Sequence, residues 1–230
     1  MLADKYSAVR QQIRLACENA VRAPDSVALL AVSKTRSADE VRELSLCGQR
    51  AFGENYLQEA LDKIEALSDL DLEWHFIGPI QSNKTRPIAE HFDWVHSVDR
   101  LKIATRLSEQ RPTHLPPLNI CLQVNISDEA SKSGCSPDEL PALAETVARL
   151  PNLRLRGLMA IPKPEDDPAR QRMVFAQVRQ LLEQLQQNLP GLDTLSMGMS
   201  ADIDAAIMEG STLVRVGTAL FGPRHYPSAH

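Results

Sequence analysis

Eight short apolar segments alternate with helix-patterned stretches along this chain, and no other feature constrains its fold as tightly. The segments cover residues 27–33, 51–54, 73–78, 94–98, 118–126, 154–161, 194–197 and 212–217. Several are continuous rather than alternating, as in Asn119-Ile-Cys-Leu-Gln-Val. Runs of that kind suit strands buried on both faces, which points to a parallel sheet covered by helices. The intervening stretches carry helix start and stop signals. Ser37-Ala-Asp-Glu40 reads as a capping box, in which the serine hydroxyl accepts from an early N–H and the glutamate reaches back. Gly48 follows as a C-terminal stop. Ser136-Pro-Asp-Glu139 repeats the box, with proline at the first helical position. Residues 170–188 form the longest expected helix, with Met173, Val174, Val178, Leu181, Leu182 and Leu185 on its buried face and Pro190-Gly191 breaking it. A further amphipathic helix is expected over residues 4–22.

Eight strands, the helices between them and one leading helix match an α/β fold, a single (β/α)8 TIM barrel with an extra N-terminal helix. A doubly wound open sheet is the alternative. That fold usually runs to fewer strands and often opens with a Gly-rich turn, whereas the first turn here is Ser33-Lys-Thr-Arg36. The 230 residues are read as one domain, with 227–230 as a tail. Pro162-Lys-Pro-Glu-Asp-Asp-Pro168 is polar and stiff but too short to separate domains.

Composition removes several classes of function. A net charge of -5 gives no general attraction for nucleic acid, and an aromatic content of 4% leaves little for base stacking. No stretch has the length and apolarity of a membrane span, and Met1-Leu-Ala-Asp-Lys-Tyr does not read as a secretory signal. Cys17, Cys47, Cys121 and Cys135 are scattered without metal-ligand spacing. The expectation is a cytoplasmic protein with free thiols, no metal, and neither nucleic acid nor membrane as partner.

Sites in such barrels are built at the C-terminal ends of the strands. Lys34, Asn55, His75, Asn125, Met159, Ser200 and Gly217 all fall near those ends. The loops after the seventh and eighth strands often hold a phosphate; here they are Gly198-Met199-Ser200 and Gly217-Thr218. Glycine lets the backbone approach an anion, while serine and threonine add hydroxyl donors. A helix starting near Ala201 would point its first N–H groups at the same place. Strands one and eight are neighbours in a closed barrel, so Lys34 should lie close to Gly217. A primary amine beside a phosphate cradle is what pyridoxal 5'-phosphate (PLP) needs. Each signal taken alone also fits a solvated lysine or an ordinary turn.

Arg215 shares a strand face with Gly217 and should point into the barrel. A guanidinium donates and cannot accept. Opposite a pyridine nitrogen it would require an unprotonated acceptor, whereas strong PLP electron sinks use an acidic partner. A buried arginine paired with a carboxylate is the other reading. His75 and Tyr56 are placed near the mouth, His75 with a structural role as the plainer reading. Gln81-Ser-Asn-Lys-Thr-Arg86 reads as a solvated loop leading into a helix, and Lys132 as a possible second aldehyde acceptor.

The motifs Leu29-Leu-Ala-Val-Ser-Lys34-Thr, Phe52-Gly-Glu-Asn-Tyr56, Trp74-His-Phe-Ile-Gly-Pro-Ile-Gln-Ser-Asn-Lys84, Arg156-Gly-Leu-Met-Ala-Ile161, Gly198-Met-Ser200 and Val214-Arg-Val-Gly-Thr218 resemble those of the pyridoxal phosphate homeostasis proteins. The resemblance runs from about residue 27 to Gly222. It implies the fold type III PLP-protein barrel of alanine racemase without its second domain. It further implies that Lys34 carries PLP as an internal aldimine, and that Ser200, Gly217 and Thr218, with the Met199 loop, hold the phosphate. Arg215 would meet the pyridine nitrogen and Asn55 would line the cofactor. No residue is assigned a catalytic role. The implied function is buffering and supply of PLP, with PLP-dependent apoenzymes as transient partners and a monomer as the working form. The rivals are a small PLP-dependent racemase or lyase and, more distantly, a phosphate-ester enzyme using Lys34 on a carbonyl substrate.

Overall fold

The computed structural model describes residues 1–127 and 133–224. Lys132 and the 227–230 tail lie outside the described residues. Among the described residues, eight parallel strands pair in chain order: β1 (Ala28–Val32), β2 (Ala51–Glu54), β3 (Glu73–Phe76), β4 (Trp94–Val98), β5 (Leu118–Gln123), β6 (Leu153–Met159), β7 (Thr194–Ser196) and β8 (Leu213–Val216). The last returns to the first through Ala28↔Leu213, Leu29↔Val214, Leu30↔Arg215 and Ala31↔Val216. This is the expected closed barrel, and closure removes the two sheet edges that a doubly wound fold would keep.

A leading helix, α1 (Leu2–Asn19), precedes the barrel, and α2 (Ala38–Leu46), α3 (Leu57–Ala66), α4 (Thr85–His91), α5 (Leu101–Gln110), α6 (Leu140–Ala148), α7 (Pro168–Gln186), α8 (Ile203–Met208) and α9 (Thr218–Phe221) follow the strands in turn. The Ser37–Glu40 capping box is present in both directions. Gly48 takes φ +109° just beyond α2, a left-handed conformation that stops a helix at little cost in glycine. At the second expected box, Ser136 Oγ accepts from the Glu139 N–H, but the α-helix itself begins only at Leu140. The longest helix starts at Pro168, two residues earlier than expected, because Asp167 caps it through the Ala169 N–H. Its buried face is Phe175, Val178, Leu182 and Leu185, while Met173 is 65% exposed. Met173 lies five residues before Val178, off the i, i+3, i+4 row that faces the strands. The loop before α4 is a 3-10 turn, Ser82–Lys84, and Arg86 is exposed, as a solvated entry to a helix requires.

Packing divides along the strands with period two. Leu29 and Ala31 join the large cluster between strands and helices, while Leu30 and Val32 turn inward to meet Ile77 and Leu213. Trp94, Cys121 and Met159 fill another part of the interior. The rest of the interior is polar: His75, His96, Ser196 and Arg215 are all buried. Barrel cores are usually filled by branched apolar side chains, so this polar set marks the place where the fold serves a site. The four cysteines are free thiols.

Candidate functional site

The chain leaves β1 through a turn, with the Arg36 N–H donating to the Ser33 carbonyl at 3.0 Å. Lys34 sits in that turn, half-buried. The next residue, Thr35, has φ +65°, unusual for a β-branched side chain. Since Ala31 pairs with Val216, Val32 comes beside Gly217, and a Cβ on Gly217 would stand 3.4 Å from the Val32 carbonyl oxygen. The backbones that carry Lys34 and Gly217 therefore share one rim. Partial burial, and secondarily the nearby Arg224 guanidinium, hold the Lys34 amine below the ordinary lysine range. An amine so placed is more readily deprotonated near neutrality, and only the neutral amine is a nucleophile.

Arg224 was not anticipated, because the resemblance ends at Gly222 and Pro223-Arg224 carries no motif of its own. Arg36 accounts for it. Its guanidinium donates to the Gly222 carbonyl at 2.6 Å and lies over the Phe221 ring, 5.4 Å from the centroid. Buried beneath the Lys34 turn, Arg36 ties the segment after α9 to the barrel mouth.

Gly198 takes φ +104°, and a Cβ there would approach Ala206 Cβ to 2.7 Å, so the bend after β7 requires glycine. The Met199 N–H donates to Asp202 Oδ1 at 2.7 Å, and the Asp202 N–H donates to the Met199 carbonyl at 3.0 Å. This closed turn delays α8 to Ile203, whereas a start near Ala201 was expected, and it consumes the Met199 N–H. Across the rim, Gly217 is the N-cap of α9, whose first N–H groups have no acceptor within the helix. Ser200 is half-exposed and Thr218 exposed at this rim. Asn55 follows β2 and lines a cavity of about 300 Å³ with Ile77, Pro79, Gln123, Asn125 and Ile161. The Asn55 Oδ1 atom is buried there with no hydrogen-bond partner. A buried amide oxygen left unpaired costs free energy, and a bound polar ligand at the mouth would recover it.

Arg215 points inward, as its strand face required. It donates from Nη1 to Ser196 Oγ at 2.7 Å and from Nη2 to the Ala160 carbonyl at 2.9 Å. Among the described residues no carboxylate lies within ion-pair distance of it, which sets aside the buried-ion-pair reading. Burial lowers its pKa to about 10, still far above neutrality. Behind it runs a chain of contacts: Ser196 Oγ to His96 Nδ1 at 2.8 Å, His96 Nε2 to His75 Nδ1 at 2.8 Å, and His75 Nε2 to Glu73 Oε1 at 2.6 Å. Its direction is fixed by its ends, since Arg215 only donates and the Glu73 carboxylate only accepts. One order satisfies every atom. Ser196 donates to His96, His96 donates to His75, and His75 donates to Glu73, with both imidazoles neutral. Desolvation lowers the pKa of His75 and holds that of His96 well below 6.5, in keeping with this order. His75 is thus not at the mouth, as its place near a strand end suggested, but inside the barrel toward the floor. Met159 is likewise interior, while Tyr56 is exposed at the start of α3.

This arrangement predicts a pH dependence of stability. A histidine whose folded pKa lies below its unfolded value contributes stability above about pH 6.5 that is lost as pH falls, because the unfolded chain takes up a proton that the fold refuses. Glu54 acts in the opposite sense: burial pushes its carboxyl up to about 7, so its contribution grows as pH falls from 7 toward 4.5. Comparison of variants isolates the histidine. Between pH 7 and pH 5 the Tm of the wild type should fall more steeply, or rise less, than that of His96→Asn. Parallel Tm profiles would show that His96 is not held neutral.

A half-buried nucleophilic amine, two loops bearing N–H and hydroxyl donors, an unpaired amide oxygen and a buried guanidinium thus converge on one end of the barrel. They suit a small ligand that has a carbonyl, a phosphate and an acceptor nitrogen. A family model described as alanine racemase, N-terminal domain, matches residues 5–225. The chain is 67% identical over 225 residues to the pyridoxal phosphate homeostasis protein of Pseudomonas aeruginosa, covering 98% of this chain and 96% of that one. It is 55% identical over 228 residues to the protein of the same name from Escherichia coli, covering 98% and 97%. The structure of PipY from Synechococcus elongatus with PLP bound superposes with a TM-score of 0.85 at 41% identity, covering 96% of this chain and 100% of that one.

Proposed function

The chain belongs to the pyridoxal phosphate homeostasis proteins, built on the alanine racemase N-terminal domain, and on that premise we propose that it binds PLP at the barrel mouth and controls its supply. When bound, PLP supplies an aldehyde that condenses reversibly with a primary amine. Lys34 offers that amine, and its place on one rim with Gly217 and the donor-bearing loops is the observation that carries the reading. Ser200, Gly217 and Thr218 would hold the phosphate through hydroxyl and backbone N–H groups, with Met199 shaping their loop. Asn55 lines the cavity, and its buried Oδ1 is left with its acceptor unmet. Arg215, held by Ser196 and the Ala160 carbonyl, would offer a donor to the pyridine nitrogen.

We read the protein as a carrier rather than a catalyst. A cation that only donates favours an unprotonated ring nitrogen, and an unprotonated ring draws electrons weakly from a substrate carbon. No residue at the mouth is assigned an acid–base role toward a substrate. Reversible attachment to Lys34 both sequesters a reactive aldehyde and leaves it transferable to another protein's amine, so PLP-dependent apoenzymes are the natural transient partners. The 230 residues act as one domain and, on this reading, as a cytoplasmic monomer, which sedimentation of the purified protein checks. No helix among the described residues is long and apolar enough to cross a membrane.

The test is delivery without turnover. Mixed with a PLP-dependent apoenzyme, the loaded protein should restore activity while its own visible cofactor band declines in step. A phosphatase that destroys unbound PLP should leave that activation largely intact. Activation abolished by the phosphatase would reduce the role to passive buffering. Racemisation or decarboxylation of amino acids at about 1 s⁻¹ or faster would establish the rival reading, a small racemase or lyase.

A further inference from the structure

The turn that carries Lys34 is gripped from below on both sides. The carbonyl of Ser33, immediately before Lys34, accepts from Lys63 Nζ at 2.6 Å. The N–H of Thr35, immediately after it, donates to Glu59 Oε1 at 2.6 Å. Lys63 and Glu59 lie one turn apart on α3 and pair with each other at 2.8 Å. Lys63 also pairs with Glu54 Oε1 at 2.6 Å, where β2 ends. Lys63 is 5% exposed and Glu54 fully buried, and neither Glu54 oxygen has an aligned hydrogen-bond donor.

General stability is a poor explanation for this arrangement. A buried ion pair is often matched or bettered by apolar residues of similar volume, because desolvation offsets the attraction. The left-handed Thr35 adds strain that glycine or asparagine would avoid. What the cluster does secure is direction. With the carbonyl before Lys34 and the N–H after it both fixed to one helix, the Cα–Cβ bond of Lys34 has one orientation. The strained φ at Thr35 persists because the surrounding bonds over-determine it.

We propose that Lys63 and Glu59 are positioning residues that clamp the Ser33–Thr35 backbone and so aim the Lys34 amine into the barrel mouth, with Glu54 holding Lys63 in place. The proposal rests on Lys34 being the attachment point for the cofactor. Its first readout therefore needs no cofactor. In the apo protein, the rate at which an amine-selective acylating reagent modifies Lys34 is measured by peptide mass spectrometry, relative to exposed Lys102 as an internal standard. In the second readout, PLP is added and the growth of the visible band is timed.

Lys63→Met and Glu59→Ala should both change the Lys34:Lys102 ratio in the apo protein. They should also slow growth of the band on the order of ten- to a hundredfold, the scale expected when a reacting group is displaced by about an ångström. Glu59→Gln should recover most of the rate, since its amide oxygen still accepts from Thr35. Lys63 is buried and its loss can prevent folding; Glu59 is partly exposed, so Glu59→Ala decides the matter alone. A folded Glu59→Ala protein with unchanged Lys34 labelling and unchanged PLP uptake overturns the proposal. Reductive mapping that puts the cofactor on another lysine would instead overturn the assignment of Lys34, and would leave the labelling result standing.

Discussion

Lys34→Ala should abolish the visible band of tightly held cofactor and leave no lysine that borohydride can mark with it in the site. Among the described residues no hydrogen bond or ion pair engages the Lys34 amine, so its removal should disturb the fold little. A change within about 0.5 kcal/mol is usual for a substitution without such partners. The apo Tm of the variant should therefore lie close to that of the wild type, and the loss of the band reports chemistry rather than unfolding. Non-covalent affinity should persist in part, because Ser200, Thr218 and the rim N–H groups are untouched. Digestion of the reduced wild-type protein should give one modified peptide, carrying Lys34. A pyridoxyl group found elsewhere in the wild type, with Lys34 unmodified, would refute the assignment.

Gly157→Ala should be the most damaging single-methyl change in the barrel. Gly157 pairs with Thr194 where β6 meets β7, and a Cβ there would fall 1.8 Å from the Thr194 carbonyl oxygen. No side-chain rotation relieves a clash with backbone, so the two strands must separate. β7 has three residues and pairs with β8 at Ser196↔Leu213, so it has little ladder to spare. Overpacking a core typically costs about 1–3 kcal/mol, and a clash with backbone belongs at or above the upper end. That corresponds to a Tm lower by about 6–12 °C in a domain of this size, or to failure to fold. Thermal unfolding followed by far-ultraviolet circular dichroism checks it, and a Tm within about 2 °C of wild type would show that the barrel opens there at no cost. Ser196 and Ala160 flank this junction and both accept from Arg215. A partly folded variant should therefore also bind PLP weakly.

The candidate site was partly legible in the sequence. Lys34, Gly198 and Gly217 were placed at the rim because they follow apolar runs, and strand ends are where a barrel exposes backbone; the structure puts all three just past β1, β7 and β8. Arg215 was assigned to the interior from the two-residue spacing to Gly217, and the structure buries it there. Lys63 was missed because a lysine on a helix ordinarily reads as solvated. The available signal was its place in the row Ala60, Lys63, Leu67, where the neighbours are fully or almost fully buried. His96 was missed because Trp94-Val-His-Ser-Val98 reads as an apolar strand. Its two-residue spacing from Trp94 gave the face but not the partner. Arg224 carried no local signal, since its position depends on Arg36 gripping a carbonyl 186 residues away in sequence.

Strand and helix alternation, the Ser37 capping box and the stop at Gly48 were determined by the sequence itself, because each depends on atoms within a few residues of one another. Those local preferences, repeated eight times, leave the closed barrel as the arrangement that covers every apolar run. The tertiary structure alone decided what Lys34 and Arg215 rest upon. His96 meets Ser196 across 100 residues, and Lys63 meets the Ser33 carbonyl across 30. Those contacts exist only once closure has brought distant strands and helices together and removed water from between them. In that dry interior an unpaired charge or imidazole nitrogen is costly. Burial is therefore what selects the partner, the tautomer and the direction of every hydrogen bond behind the site.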